Sequence, residues 1–239
     1  MTIKVAFFDT ETNGPRHLLQ VAVQTVEYSD TGSDIERRDV QTYAAYVKPE
    51  SWMEWSAHCE AVHHISREFA EREGQPLQQV MQDLRAVFAG CHVLVAHNMA
   101  FDARILATAG EATLCPVMPL AAWRVCTMLR TAGLCGLRDK RGGRKRPSLA
   151  ELYLHLMGGP VPGPGPGPEA GVVVEEEGGA PLHAAHNATF DVEVLMVCFE
   201  RLLEEGEMAC DEWCTGPAPL VDTAPQCKAP KRPRCRPSH

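Results

Sequence analysis

The apolar segment Ile3-Lys4-Val5-Ala6-Phe7-Phe8 runs directly into Asp9-Thr10-Glu11-Thr12. This pattern predicts a buried strand over residues 3–8 that ends in two carboxylates. Because side chains alternate along an extended strand, Asp9 and Glu11 point to the same face. Two like charges on one face repel each other unless a cation lies between them, and hard oxygen ligands favour Mg²⁺ or Mn²⁺. Taken alone, Asp-x-Glu is a weak motif, and a solvated strand end explains it more simply.

Strand and helix signals follow one another along the rest of the chain. Further strands are predicted at 18–26, 40–47, 92–96 and 123–127. Helices are predicted from about Pro76 to Gly90, at 101–109 with an end at Gly110, at 149–157, and at about 189–205. Ser148 with Glu151 has the spacing of a capping box. An antiparallel three-strand meander followed by alternating strands and helices predicts an α/β fold with a mixed five-stranded sheet flanked by helices.

Composition divides the chain into one domain and two low-complexity segments. Residues 1–208 are predicted to form the folded domain, interrupted at 158–181 by an insert of alternating Gly and Pro with an acidic run. Residues 209–239 form a Pro- and Cys-rich basic tail. Neither segment has enough apolar surface to offset its ordering entropy, so we expect both to be disordered.

Net charge and hydropathy limit the kinds of function that the chain can have. The formal net charge of −8 argues against a protein that coats nucleic acid by bulk electrostatics. It does not argue against an enzyme that binds one strand end through metal ions. No secretory leader or membrane span is apparent, and most of the ten cysteines stand in apolar surroundings, so we expect a soluble intracellular protein, cytoplasmic or nuclear.

Two more acids stand near the starts of predicted helices. Asp102 follows His97-Asn98-Met99-Ala100-Phe101, and Asp191 follows His186-Asn187-Ala188-Thr189-Phe190. An acid in a first helical turn also stabilises the helix dipole, which is the simpler explanation for either one alone. His186 precedes Asp191 by five residues. That is about 500° on a continuous helix, so we place His186 in the preceding loop, able to lean over a metal site as a base. His183 competes for this role.

The conjunction of these segments carries more weight than any one of them. Four carboxylates and one histidine come in a chain order that lets two strands and a helix converge. They are the parts needed to hold two Mg²⁺ ions and to activate a water against a phosphodiester.

At these residues the chain resembles the DEDDh 3′→5′ exonucleases, the DnaQ-like family that includes proofreading exonucleases, ribonuclease T and the TREX enzymes. The resemblance lies in Asp9-Thr10-Glu11-Thr12, in His97-Asn98-x-x-Phe101-Asp102 and in His186-Asn187-Ala188-x-x-Asp191. The family spacing selects His186 over His183. Val62-His63-His64-Ile65-Ser66 resembles a Val-His-Gly-Ile-Thr stretch of the family, with His64 in the place of glycine.

The resemblance implies an RNase H-like fold and two Mg²⁺ or Mn²⁺ ions per site. Asp9 is expected to bridge both ions, Glu11 and Asp191 to complete one site, Asp102 to hold the second, and His186 to be the general base. The expected activity is release of nucleoside 5′-monophosphates from the 3′ end of single-stranded or frayed DNA, in proofreading or repair. The expected partner is a DNA polymerase or a replication or repair complex. The alternatives are the same chemistry on RNA and a non-catalytic nucleic-acid-binding module.

Substrate contacts are expected from residues within and beside the motifs, namely Thr10, Thr12, His63, Ile65, Asn98, Phe101 and Asn187. For Phe101 core packing competes with base contact. The basic run 138–146 either contacts phosphates beyond the scissile end or is a solvated loop.

Overall fold

The computed structural model of the protein describes residues 2–30, 35–163 and 187–208. The strands are β1 (Thr2–Asn13), β2 (His17–Asp30), β3 (Ile35–Tyr46), β4 (Val93–Ala96) and β5 (Trp123–Cys126). The helices are α1 (Ala57–His63), α2 (Arg67–Glu73), α3 (Leu77–Phe88), α4 (Met99–Thr113), α5 (Thr127–Thr131), α6 (Leu149–Met157) and α7 (Ala188–Glu204). Most of the predicted insert and the whole predicted tail lie outside the described residues.

The five strands form one mixed sheet in the order β3-β2-β1-β4-β5. β1 is central and pairs antiparallel with β2 and parallel with β4. β2 pairs antiparallel with β3, which completes the meander, and β5 is parallel to β4. The predicted fold class is therefore confirmed. None of the helices in these three ranges is long and apolar enough to cross a membrane.

Adjacent residues of β1 send their side chains into opposite cores. Phe8 packs edge-to-face on Phe88 of α3, in the cluster that also contains the buried face of α4. Phe7 packs edge-to-face on Phe199 of α7, in the cluster on the other side of the sheet. Each fully buried phenylalanine contributes on the order of 2 kcal/mol of hydrophobic stabilisation. These two contacts hold the central strand, and thus the acids at its end, between two helical layers.

The predicted end of α4 is wrong. The helix continues through Gly110 to Thr113, and Leu114 ends it in a left-handed conformation (φ 52°). At Gly110 the carbonyl oxygen of Cys115 lies 3.2 Å from where a Cβ would stand, so glycine allows the chain to fold back closely on the helix. Glycine here marks a close approach of two backbone segments and not a helix end.

Three short helices, α1, α2 and α5, were not predicted, and β2 and β3 extend beyond their predicted bounds. α1 ends at His64, which adopts a left-handed conformation (φ 58°) that glycine adopts at lower cost. The left-handed turn fits the glycine of the Val-His-Gly-Ile-Thr stretch that this segment resembles.

Candidate active site

The acids of the first motif lie at the end of the central strand. Asp9 and Glu11 project from β1 to one side, where Asp191 of α7 meets them. One ligand oxygen from each of these three carboxylates lies within 4.8 Å of the other two. Glu11 is buried, whereas Asp9 and Asp191 are partly exposed. The two ends of the folded domain therefore meet at one cluster of carboxylates.

Asp102 reaches the same cluster from the neighbouring strand. β4 runs parallel to β1, with Val95 beside Phe7, so the chain leaves β4 at the same edge of the sheet at which Asp9 stands. The helix α4 begins three residues later and holds Asp102 in its first turn. The carboxylate is 2% exposed and accepts a 2.7 Å hydrogen bond from the Thr10 hydroxyl. Thr10 therefore orients Asp102 from a position between the two acids of β1.

The start of α7 is fixed to the sheet by a residue that the sequence analysis missed. Gln20 stands opposite Glu11 in the β1–β2 pair, and its side-chain oxygen accepts a 3.2 Å hydrogen bond from the Ala188 backbone N–H. Asn187 caps the same helix end by accepting from Thr189 N–H. Asp191 lies in the first turn of the helix held by these contacts, so its carboxylate lies beside that of Glu11. The available signal was a lone glutamine within the apolar run Leu18–Val23.

The carboxylates raise one another's pKa values. Burial is the largest cause for Asp9, followed by the charges of Asp102, Asp191 and Glu11, and together they hold its pKa well above the usual range. Burial and the charges of Asp191 and Asp102 raise the pKa of Glu11 to about 8. Burial raises the pKa of Asp102 to about 7, although hydrogen bonds from Thr10 favour its charged form. Without a cation the cluster resists full ionisation.

This donor set fits divalent cations. Clustered carboxylate oxygens are the ligands that Mg²⁺ and Mn²⁺ prefer, and a bound cation would offset both the burial and the mutual repulsion that raise the pKa values. Asp9, Glu11 and Asp191 form one such group, and Asp102 lies beside it under the Thr10 hydroxyl.

His186, the predicted general base, lies outside the described residues, as does its competitor His183. Its role stays a prediction. Asn187 is the nearest described residue and is exposed at the start of α7.

The predicted substrate contacts occupy several environments. Thr12 and Phe101 are partly buried, and Phe101 packs against the core cluster of α3 and α4. Asn98 is exposed at the start of α4. His63 and Ile65 are buried, and the His63 Nδ1 accepts a 3.0 Å hydrogen bond from the Ile65 N–H. Their contacts with a substrate stay predictions.

Two further polar residues brace the site. Asn13 is buried at the end of β1, donates to the Glu54 carbonyl (2.7 Å) and accepts from the Ser56 N–H (2.8 Å). It thereby fastens the start of α1 to the strand that carries Asp9 and Glu11. Sequence reasoning missed this contact because it joins positions about forty residues apart, although asparagine at a strand end is a signal for such caps.

His97 braces the other side. Its Nε2 lies 2.9 Å from the Pro147 carbonyl oxygen and its Nδ1 lies 3.0 Å from the Thr127 hydroxyl. A carbonyl oxygen only accepts, so Nε2 carries the proton and Nδ1 accepts from Thr127. Burial lowers the pKa of His97, which keeps the ring neutral. One histidine thus ties together the end of β4, the start of α5 and Pro147, which stands two residues before α6.

Similar folds occur in solved structures of exonuclease I. E. coli exonuclease I in complex with a dA16 oligonucleotide is 14% identical with a TM-score of 0.57, over 85% of this chain and 41% of that one. The same enzyme with a 5cy-dT13 oligonucleotide is 13% identical with a TM-score of 0.60, over 85% and 41%. A moderately thermophilic exonuclease I from Methylocaldum szegediense is 16% identical with a TM-score of 0.55, over 84% and 40%. This chain spans about two fifths of their length, and the likeness shows a shared RNase H-like fold.

No curated protein matches the chain significantly by sequence. The sequence profile of the family named for ribonuclease T and described as "Exonuclease" matches residues 6–154, more than half of the chain. This range includes Asp9, Glu11 and Asp102 but ends before Asp191, which the fold brings to the same cluster. The chain therefore belongs to this exonuclease family, among the DEDD-type 3′→5′ exonucleases.

Proposed function

We propose that this protein is a metal-dependent 3′→5′ exonuclease that releases nucleoside 5′-monophosphates from single-stranded or frayed DNA. The observation that carries the proposal is the convergence of Asp9, Glu11 and Asp191 within 4.8 Å, with Asp102 beside them. Acids from a strand end and from two helix starts share one partly buried cluster that no described feature of the core requires. Membership of the exonuclease family gives the reaction class.

The carboxylates have distinct positions in this proposal. Asp9, Glu11 and Asp191 would hold one divalent ion, and Asp102 with Asp9 would hold a second. When bound, Mg²⁺ or Mn²⁺ ions supply Lewis-acid stabilisation of the attacking and leaving oxygens of a phosphodiester. The Thr10 hydroxyl fixes the orientation of the Asp102 carboxylate through its 2.7 Å hydrogen bond.

A histidine completes the proposed chemistry. His186 stands just before α7 in the sequence, one residue before its N-cap Asn187, and accepts the proton of the attacking water on a ring nitrogen. Its replacement by alanine should lower kcat by roughly 10²–10⁴-fold, the usual contribution of a general base. An unchanged rate in His186→Ala would remove this residue from the mechanism.

DNA is the preferred substrate in this proposal because the similar exonuclease I structures hold dA16 and 5cy-dT13 oligonucleotides. RNA is the second candidate, since discrimination depends on contacts with the 2′-hydroxyl in the terminal-nucleotide pocket. The proposed setting is proofreading or repair, with a DNA polymerase or a replication or repair complex as a partner.

The test is a panel of matched DNA and RNA oligonucleotides labelled at the 5′ end or at the 3′ end. With Mg²⁺ or Mn²⁺, 5′-labelled DNA should shorten one nucleotide at a time, 3′-labelled DNA should release labelled mononucleotide first, and EDTA should stop both reactions. Asp9→Asn is the matched inactive control. Faster digestion of RNA would move the assignment to an exoribonuclease. Binding without cleavage in either metal would favour a non-catalytic module.

A further inference from the structure

Trp52 is the most exposed aromatic side chain among residues 2–30, 35–163 and 187–208, with 69% of its surface open. It lies in the segment between β3 and α1. The ring of His17, the first residue of β2, meets the indole edge-to-face, with centroids 5.8 Å apart and an angle of 71°. An open indole costs hydrophobic stabilisation unless something covers it.

The backbone that carries Trp52 is anchored on both sides. The next residue, Met53, is 7% exposed. Arg67 of α2 donates to the carbonyl oxygens of Met53 (2.8 Å) and Ser51 (3.3 Å). The indole is therefore held outward by a fixed segment, and little conformational entropy is lost when a flat ligand stacks on it.

This aromatic pair is attached to the strand that ends in the carboxylates. His17 pairs with Asn13 in the β1–β2 ladder, and Asn13 stands two residues after Glu11. The Asn13 side chain also binds Glu54 and Ser56, at the end of the segment that carries Trp52. The exposed residue Arg16 precedes His17 and adds a positive charge at this rim. The pair therefore lies at the β1–β2 turn that directly follows the carboxylate-bearing end of β1.

We infer that Trp52 and His17 form a stacking platform for an unpaired base of the nucleic-acid strand whose 3′ end lies among the carboxylates. The inference rests on the proposed function and extends it to an upstream base. Aromatic faces stack on every base, so the platform confers affinity for single strands with little sequence preference. Arg16, an exposed residue of the turn before β2, adds a positive charge that suits the phosphates of such a strand.

The test compares Trp52→Ala and Trp52→Phe with a matched control, Leu120→Ala. Leu120 is 85% exposed and lies between α4 and β5, at the opposite edge of the sheet from the carboxylates. Trp52→Ala should raise KM for a labelled 15-nucleotide DNA strand by roughly 5- to 100-fold, the usual range for loss of one stacked base. Trp52→Phe should restore most of the affinity, and Leu120→Ala should behave like the wild type.

Two readouts separate this platform from the proposed function and from a structural role. The p-nitrophenyl ester of thymidine 5′-monophosphate reaches the carboxylates but has no upstream base, so all three variants should hydrolyse it at the wild-type rate. Anisotropy of the labelled strand in EDTA measures binding without cleavage, and Trp52→Ala should weaken it by a similar factor. Unchanged strand binding in Trp52→Ala, or equal losses on the strand and the ester, would overturn the platform. If the wild type hydrolysed neither substrate but Trp52→Ala still weakened strand binding, only the proposed function would be overturned.

Discussion

The acidic cluster and the basic loop at 138–146 carry opposite charges in opposite environments. The cluster gathers Asp9, Glu11, Asp102 and Asp191 in a partly or wholly buried site where each charge disturbs the others. The basic loop is a small hairpin, bridged between Arg138 and Arg144, whose basic side chains are all exposed. Buried like charges raise one another's pKa values and need a cation to be fully ionised. Exposed like charges are solvated and have little effect on stability.

The two regions are nevertheless joined. Pro147, the residue after the basic loop, is hydrogen-bonded to His97, and His97 follows the strand that leads to Asp102. Asp139 orders the loop itself by accepting from the backbone N–H groups of Arg141 and Gly143, both at 2.8 Å. If the basic loop contacts the strand, mutations in the loop and in the acidic cluster should have separable effects on binding and on catalysis.

The largest expected effect comes from removing one charge from the acidic cluster. Asp9→Asn should reduce nuclease activity below detection, because Asp9 interacts with all three other carboxylates. The same change should raise the Tm of the metal-free protein at pH 8, because it removes one of the mutually repelling charges. Activity assays and thermal melts in EDTA measure both. Asp139→Asn, which changes an acid of the exposed loop, is the control and should keep the activity; a Tm decrease in Asp9→Asn would contradict the repulsion argument.

A second expected effect is that the metal-free protein becomes less stable as the pH rises toward 8. The pKa of Glu11 is raised from 4.5 to about 8 and that of Asp102 from 3.8 to about 7, so the folded state holds protons that the unfolded state releases. The stabilisation is complete below the unfolded pKa values and is lost as pH rises through about 7 to 8. In EDTA the free energy of unfolding should therefore fall between pH 5 and pH 8.5, measured by urea titration.

The same pH dependence of the unfolding free energy should differ when metal is bound. Saturating Mg²⁺ should flatten the profile, because binding to the folded state favours the ionised carboxylates. Glu11→Gln should flatten part of it in EDTA. If the free energy of unfolding in EDTA instead increased toward pH 8.5, the carboxylates would ionise in the folded protein at no cost in stability.

A smaller effect is expected at the junction of the two regions. His97→Ala removes a neutral ring that donates to Pro147 and accepts from Thr127, and should cost about 1–3 kcal/mol of stability, the usual cost of buried hydrogen-bond loss. KM for long strands should rise more than kcat falls, because Pro147, the residue after the basic loop, loses its hydrogen bond to His97. Thr127→Val removes one of the two bonds and serves as the graded control. A lower kcat with an unchanged KM would mean that His97 supports the catalytic carboxylates and not the basic loop.

The acids were predictable because each stands where an apolar strand ends or a helix begins, a pattern visible within a few residues. The contacts that hold them were not. Thr10 to Asp102 and Gln20 to Ala188 join positions 92 and 168 residues apart, which no local pattern encodes. The sheet and the family were predicted and are confirmed. Helices α1 and α2 were missed because seven residues give too short a periodic signal, although Ser56 and Ser66 cap them.

The smallest effect should come from the basic loop. Arg141→Ala with Arg144→Ala removes two exposed charges from the basic loop, while backbone hydrogen bonds keep the loop folded. Stability should change by less than about 0.5 kcal/mol, as for surface substitutions generally. If both side chains contact phosphates of a single strand, the slope of log K against log salt should fall by roughly 1.4, at about 0.7 per phosphate. The matched pair Arg38→Ala with Arg85→Ala, also exposed but on β3 and α3, should leave that slope nearly unchanged. Equal slopes in the two double variants would mean that the loop adds only general positive charge, and that attraction of the strand resides elsewhere on the protein.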